Sequence, residues 1–213
     1  MAPTSLEASM ADLEHSTIAD PNIHEPKGVS SASDGTVYVA DGAGSGAWTA
    51  LEQGTIIGFL DYNDATTAST PINVTGGAGY TYLTNDGAGA FTNKAYTPSG
   101  VSDVWDASIN KFDWSDLQLG DMVDVRLDIE VTTSGANQAF DVALEMATDG
   151  SSYDIPFEIA LVKTAGATNV NRYNGVYMGD ANTLDNRARF KIQSDGNATV
   201  VVRGWYCKVL INR

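Results

Sequence analysis

The sequence predicts an all-β protein: a jelly-roll-like two-sheet β-sandwich preceded by an extended N-terminal arm. Three observations carry this. Apolar residues alternate with polar ones at period two through most of the second half, the pattern of half-buried strands. Asp-Gly turns recur at Asp34-Gly35, Asp41-Gly42, Asp86-Gly87, Asp149-Gly150 and Asp195-Gly196, and this dipeptide tolerates the positive φ of tight turns. About eight short strands emerge with no helical stretch among them, which suits a sandwich, with a jelly roll the favoured topology.

Along the 213 residues the elements follow in order. Residues 1 to about 34 hold Pro3, Pro21 and Pro26, both histidines and few apolar groups at regular spacing. They read as an arm without a core of its own, with one short helix around Leu6 to Leu13 or else a disordered terminus. A glycine-rich hairpin follows, running from Gly35 through Tyr38 to Trp48, and the arm with this hairpin is taken as residues 1–52. The sandwich is taken as residues 53–213. Its strands begin with Thr55 to Leu60 and Ile72 to Val74. Residues Gly76 to Gly120 lack clear alternation but carry Tyr80, Tyr82, Phe91, Tyr96, Trp105, Phe112 and Trp114, so this stretch is either functional or packed over the core by its own aromatics.

Met122 to Thr132 is the clearest strand, with Val123, Val125, Leu127, Ile129 and Val131 on one face and Asp124, Arg126, Asp128 and Glu130 on the other. Phe140, Val142, Leu144 and Met146 repeat the pattern, and Ser134-Gly135-Ala136-Asn137 between the two suggests a hairpin. Ile155 to Leu161 forms another strand, placed at an edge or a strand start by Pro156. Ala188 to Ile192 alternates again. Ala198 to Ile211 is apolar almost throughout, which predicts a strand covered on both faces, by a sheet and by a neighbouring subunit. A short echo links Gly35 to Trp48 with Gly79 to Phe91, and convergent hairpin chemistry explains it as well as duplication does.

Charge narrows the function classes. Twelve Lys and Arg against 27 Asp and Glu give a net charge of −15, which argues against nucleic acid and anionic membranes as partners. Apolar residues at 43% supply a core, so the acidity belongs to a folded surface. The single cysteine, Cys207, forms no intrachain disulfide and reads as a buried strand thiol. Met1 to Met10 shows no signal-peptide pattern and no apolar run reaches a membrane span, so synthesis in the cytoplasm is expected.

Catalytic constellations are sparse. Both histidines lie in the arm, which leaves a Ser-His-Asp or Cys-His site without a home. No Gly-x-Ser-x-Gly, His-Glu-x-x-His or complete Gly-x-Gly-x-x-Gly occurs. Asp61-Tyr62-Asn63-Asp64 opens like a calcium loop, but Thr66 and Ile72 stand where glycine and glutamate are needed. No metal or other cofactor is therefore expected. Carboxylates are plentiful, and Asp103, Asp106, Asp113 and Asp116 in the aromatic loop region are the candidates for a glycosidase pair. Tyr80, Trp105 and Trp114 are candidate carbohydrate contacts, because aromatic faces pack on sugar rings.

Ile23-His24-Glu25-Pro26-Lys27-Gly28, followed by Gly35 to Trp48, resembles the N-terminal signature of tailed-bacteriophage virion proteins described as head fibre or capsid decoration proteins. Tyr173 to Asp180, Ala188 to Phe190 and Gly204 to Cys207 resemble the same group. The resemblance implies a non-enzymatic virion protein on the capsid exterior, anchored to the major capsid protein by its arm and homotrimeric. It points to His24, Pro26, Lys27, Gly28, Tyr38 and Trp48 for anchoring, and Val201, Trp205 and Val209 on the closing strand are read as the threefold contact. The alternative is a tail-fibre or receptor-binding module recognising host surface carbohydrate.

Overall fold

The structure is a computed structural model that describes residues 32–43, 46–50 and 56–212. The chain divides into two compact units, Met1–Gln53 and Gly54–Arg213. The predicted arm and its short helix lie outside the described residues.

In the first unit, β1 (Thr36–Ala40) and β2 (Gly46–Ala50) form a two-stranded antiparallel sheet. Gly35 and Gly42 adopt φ of 79° and 77°, and the Asp41 carboxylate accepts the Ala43 amide at 2.8 Å. Tyr38 lies opposite Trp48, and the rings meet edge to face with centroids 5.4 Å apart. A side chain at position 46 would put its Cβ 2.2 Å from the Val39 carbonyl oxygen, so glycine there is a steric requirement.

The second unit contains β3 (Ile56–Asn63), β4 (Ile72–Val74), β5 (Thr81–Tyr82), β6 (Asn93–Tyr96), β7 (Trp105–Asp106), β8 (Lys111–Phe112), β9 (Met122–Thr133), β10 (Gln138–Met146), β11 (Tyr153–Val162) and β12 (Gly166–Tyr177). A one-turn helix α1 (Ala181–Leu184), β13 (Arg189–Ser194) and β14 (Ala198–Ile211) complete it. One sheet runs β12-β9-β14-β3-β6, and the other β11-β10-β13-β5. Counting β3, β5, β9, β10, β11, β12, β13 and β14 as first to eighth, the orders are 1-8-3-6 and 2-7-4-5. That is the double Greek key of a jelly roll.

Alternation explains the core. Val123, Val125, Leu127, Ile129 and Val131 of β9 are at most 1% exposed. Phe140, Val142, Leu144 and Met146 of β10 are buried across from them. The predicted hairpin at Ser134–Asn137 is corrected: β9 pairs with β12 and β14, whereas β10 pairs with β11 and β13. The turn carries the chain from one sheet to the other, because two strands with one apolar face each bury both by facing across a core. Gln138 secures this crossing, accepting from the Gly135 amide at 3.2 Å and donating to Ser194 Oγ at 2.9 Å and Gly196 O at 2.8 Å. Pro156 does sit on an edge strand, since β11 ends its sheet.

Beyond the short β5, β6, β7, β8 and α1, which the sequence does not predict, two larger features depart from it. β12 is as long as β9, but its Asn169, Asn171, Arg172 and Asn174 leave little alternation to read. It is an edge strand, and its polar groups face water. The second is the phase of β14. A bulge between Val202 and Gly204 shifts its register, so Ala198, Val200 and Val202 before it and Trp205, Cys207, Val209 and Ile211 after it all point inward. The continuous apolar run is therefore an ordinary half-buried strand with an inserted residue.

Candidate functional site

The outer face of the β10-β13 sheet is built by the same alternation. Asp141 and Glu145 of β10 and Arg189, Lys191 and Gln193 of β13 turn away from the core. Antiparallel register sets Glu145 beside Arg189 and Asp141 beside Gln193. Glu145 receives Arg189 at 2.7 Å and Lys191 at 3.3 Å, and Lys191 also reaches Asp154 at 2.8 Å. Gln193 donates to Asp141 at 2.6 Å. Two tyrosines cover the cations: Arg189 lies 3.4 Å from the Tyr82 ring centroid and Lys191 4.1 Å from that of Tyr80. Beside them a groove of about 420 Å³ is lined by Gly77, Gly79, Asp141, Ile159, Gln193 and Asp195.

Lys191 is only 6% exposed. Burial alone would lower its pKa, but the Asp154 hydrogen bond and the Glu145 charge outweigh that and raise it. Burial would raise Glu145, but Arg189 and Lys191 outweigh it and hold the carboxyl below its ordinary value. A carboxyl lowered in the folded state stabilises above its unfolded pKa, and that stability is lost as pH falls through the folded value. Glu145→Gln should therefore flatten the fall in stability below about pH 4.5, as read by urea denaturation at a series of pH values. Acid limbs of equal slope in variant and parent would contradict this linkage. On the alkaline side the Lys191 contribution is present below its unfolded pKa and disappears as pH rises through its raised one.

The structure separates the residues read from sequence as sugar contacts. Tyr80 is on this face and 40% exposed. Trp105 and Trp114 are corrected to core positions, 4% and 1% exposed; Trp105 reaches only the floor of a groove of about 510 Å³ whose lining also includes Asp103, Asp106, Asp113 and Asp116. Trp105 packs edge to face on Phe112 at 4.8 Å and on Trp205 at 5.2 Å, while Phe112 stacks on Trp114 at 5.3 Å. The loop aromatics thus plug one end of the sandwich. Trp205 and Val209 are corrected likewise: at 1% and 0% exposed they face the interior and cannot line a subunit contact. Val201, half-buried, is on the outward phase of β14.

The loop carboxylates fold their own loops. Asp106 accepts from the Ser108 hydroxyl at 2.6 Å and its amide at 2.9 Å. Asp116 does the same for Ser102, Asp113 accepts from the Ser115 amide and pairs with Arg187, and Asp103 takes the Tyr62 hydroxyl and Lys94. Hydrogen bonds from Ser108 and Ser102 hold Asp106 and Asp116 below the usual carboxylate range, the opposite of what a catalytic acid requires. Asp64 is engaged by Thr67 and the Asp86 amide, while Asp61 lies on the outer face of β3. Burial pushes the Cys207 thiol up, consistent with an inert core residue.

Of the residues expected to anchor the arm, Tyr38 and Trp48 form the cross-strand pair of the β1–β2 hairpin. His24, Pro26, Lys27 and Gly28 lie outside the described residues.

No protein-family model matches the sequence, and no curated protein does. Among solved structures the chain is similar to the infectious bursal disease virus VP2 subviral particle, at 8% identity and a TM-score of 0.41. That match covers 82% of this chain and 37% of the other, so this chain spans little over a third of that protein. It is also similar to the PRD1 vertex protein P5, at 12% identity, a TM-score of 0.37 and coverage of 85% and 84%. Cowpea mosaic virus top component matches at 11% identity, a TM-score of 0.25 and coverage of 76% and 84%. The jelly-roll assignment rests on this protein's own strand order.

Proposed function

We propose that the protein is a non-enzymatic phage virion component on the capsid exterior, a decoration or head-fibre protein made in the host cytoplasm. It binds the major capsid protein through its N-terminal segment and displays the acidic jelly roll outward. One observation carries the reading: the β1–β2 hairpin is a two-stranded sheet of its own bearing the sequence signature, with Val37 and Val39 38% and 50% exposed. A hairpin of this size is marginal alone in water, and it gains stability where a partner covers its apolar side. Buried Trp and Tyr residues commonly anchor such contacts; Trp48 and Tyr38 lie on the opposite face of the hairpin from Val37 and Val39 and would serve an anchor from that side. The segment His24 to Gly28 belongs to the same proposed anchor.

The test is removal of residues 1–53. The remaining chain should fold, because its jelly roll has its own core, and should lose binding to empty capsids in a co-sedimentation assay. Undiminished binding would overturn the anchor. The homotrimer is part of the same proposal, and light scattering on the full chain should give three subunits. Any such contact uses outward groups of the kind represented by Val201, since Trp205 and Val209 are spent on the core.

A second reading, recognition of host surface carbohydrate, is favoured by the exposed aromatic side chains of the jelly roll, which include Tyr80, Phe91 and Tyr96. Binding on an array of bacterial glycans tests it.

A further inference from the structure

The outer face of the other sheet carries a groove of about 420 Å³ lined by Phe59 and Asp61 of β3, Tyr206 of β14, Asn93 and Tyr96 of β6, and Phe91. Register assembles it: Asp61 lies opposite Tyr206 on one side and Asn93 on the other, and Phe59 lies opposite Tyr96. Gly58 permits the close approach of β6, because a Cβ there would fall 2.3 Å from Pro98 Cδ and 2.6 Å from Tyr96 O. The Phe59 and Tyr206 rings stand 26° from parallel with centroids 5.9 Å apart, and Arg126 packs over Tyr206 at 5.0 Å. Phe91 and Tyr96 rise beside them, 78% and 69% exposed.

The polar groups decide what fits. Asn93 spends its Oδ1 on the Ala95 amide at 2.9 Å, so the Nδ2 hydrogens are what it offers a ligand. Asp61 offers acceptors only; none of the six lining residues is basic, and the neighbouring Arg126 is committed to Asp128 at 2.8 Å and 3.0 Å. A twofold contact between copies centred here would oppose two Asp61 carboxylates, in a chain already at −15. Apolar side chains seated over Asp61 would bury it without donating to it, which costs free energy. A pyranose meets both demands: its C–H face packs on the ring platform while its hydroxyls donate to Asp61 and its oxygens accept from Asn93. An acidic sugar would bring its carboxylate against Asp61.

We propose that this groove is a saccharide site selective for neutral hexopyranose units. The proposal rests on the carbohydrate reading above and locates it on the β3-β14-β6 face, away from Tyr80. The experiment is saturation-transfer NMR on the full chain with methyl β-D-glucopyranoside, methyl α-D-mannopyranoside, methyl N-acetyl-β-D-glucosaminide and, as the acidic probe, D-glucuronate. Transfer to the ring protons of at least one neutral glycoside, and none to glucuronate, is expected.

Because Phe91 and Tyr96 are exposed, the double variant Phe91→Ala, Tyr96→Ala should keep its melting temperature and lose roughly tenfold in affinity. Asp61→Asn should weaken binding in the same assay. No transfer to any neutral glycoside, or transfer unaffected by these variants, overturns the proposal. So does a double variant that changes the sedimentation mass of the protein, which would make the groove a contact between copies. Glycan binding abolished by Tyr80→Ala and untouched by the groove variants would leave the carbohydrate reading standing and remove this site.

Discussion

Trp205→Ala should lower the stability of the jelly roll by about 4 kcal/mol, the middle of the range for deleting a large buried aromatic. Trp205 joins three parts of the core: it touches Trp105 from the loop region at 5.2 Å, Phe190 of β13 at 5.0 Å and Phe112 of β8 at 6.4 Å. Those neighbours are held by ring contacts of their own, Trp105 with Phe112, Phe112 with Trp114 and Phe190 with Phe157, so the space left by the indole collapses poorly. For a domain of this size the loss corresponds to roughly 10 °C in melting temperature. Trp205→Phe should cost less than half as much, because the indole Nε1 has no hydrogen-bond partner among the described residues and only packing volume is lost. Calorimetry of the three proteins checks both statements. An alanine variant melting within about 3 °C of the parent would show that the ring cluster relaxes freely.

Gly204→Ala should cost about 2–3 kcal/mol, the range for forcing an extra carbon into packed structure. A Cβ at this position would lie 2.5 Å from the Tyr62 carbonyl oxygen and 3.2 Å from Asn63 Cα. Both are backbone atoms of β3, so relief requires parting two central strands. Amide hydrogen exchange should report the change first in β3 and in β14 beyond the bulge, while β10 and β11 keep their protection. Loss spread evenly over both sheets would instead indicate global destabilisation without local strain.

How far the fold was legible follows from these positions. β9 and β10 were readable because each buries one face with strict alternation, and nothing in either strand interrupts the period. Their partnership was not readable. A turn of Ser, Gly, Ala and Asn serves a hairpin and a crossing between sheets equally well, and only the need to bury two apolar faces against each other decides.

β14 misled for a different reason. Val201, Trp205 and Val209 would share one face of an unbroken strand, but the residue inserted at the bulge places Val201 outside and the other two inside. Trp105 and Trp114 misled because composition shows an aromatic loop without showing which way its rings turn. The groove at Asp61 was missed entirely: Phe59, Phe91, Tyr96 and Tyr206 are dispersed over almost 150 residues of sequence, and only the pairing of β3 with β14 and β6 brings them together. The proposed anchor rests on a resemblance; what the structure shows is that Tyr38 and Trp48 pair across the β1–β2 hairpin.

The strand order also governs how the chain is made. β3 finds its principal partner in β14, and roughly 130 residues separate them, which at ordinary rates of synthesis is about ten seconds of elongation. Until residues 198–211 exist, β3 and β9 each lack the strand that joins them, and the two hydrogen-bonding edges that will flank β14 are open to other chains. Pairings between such distant segments also slow the search for the native arrangement. Nascent chains are thus most exposed to misassociation before β14 is made, and mutations in that strand should reduce soluble yield more than their effect on the finished protein's stability would suggest.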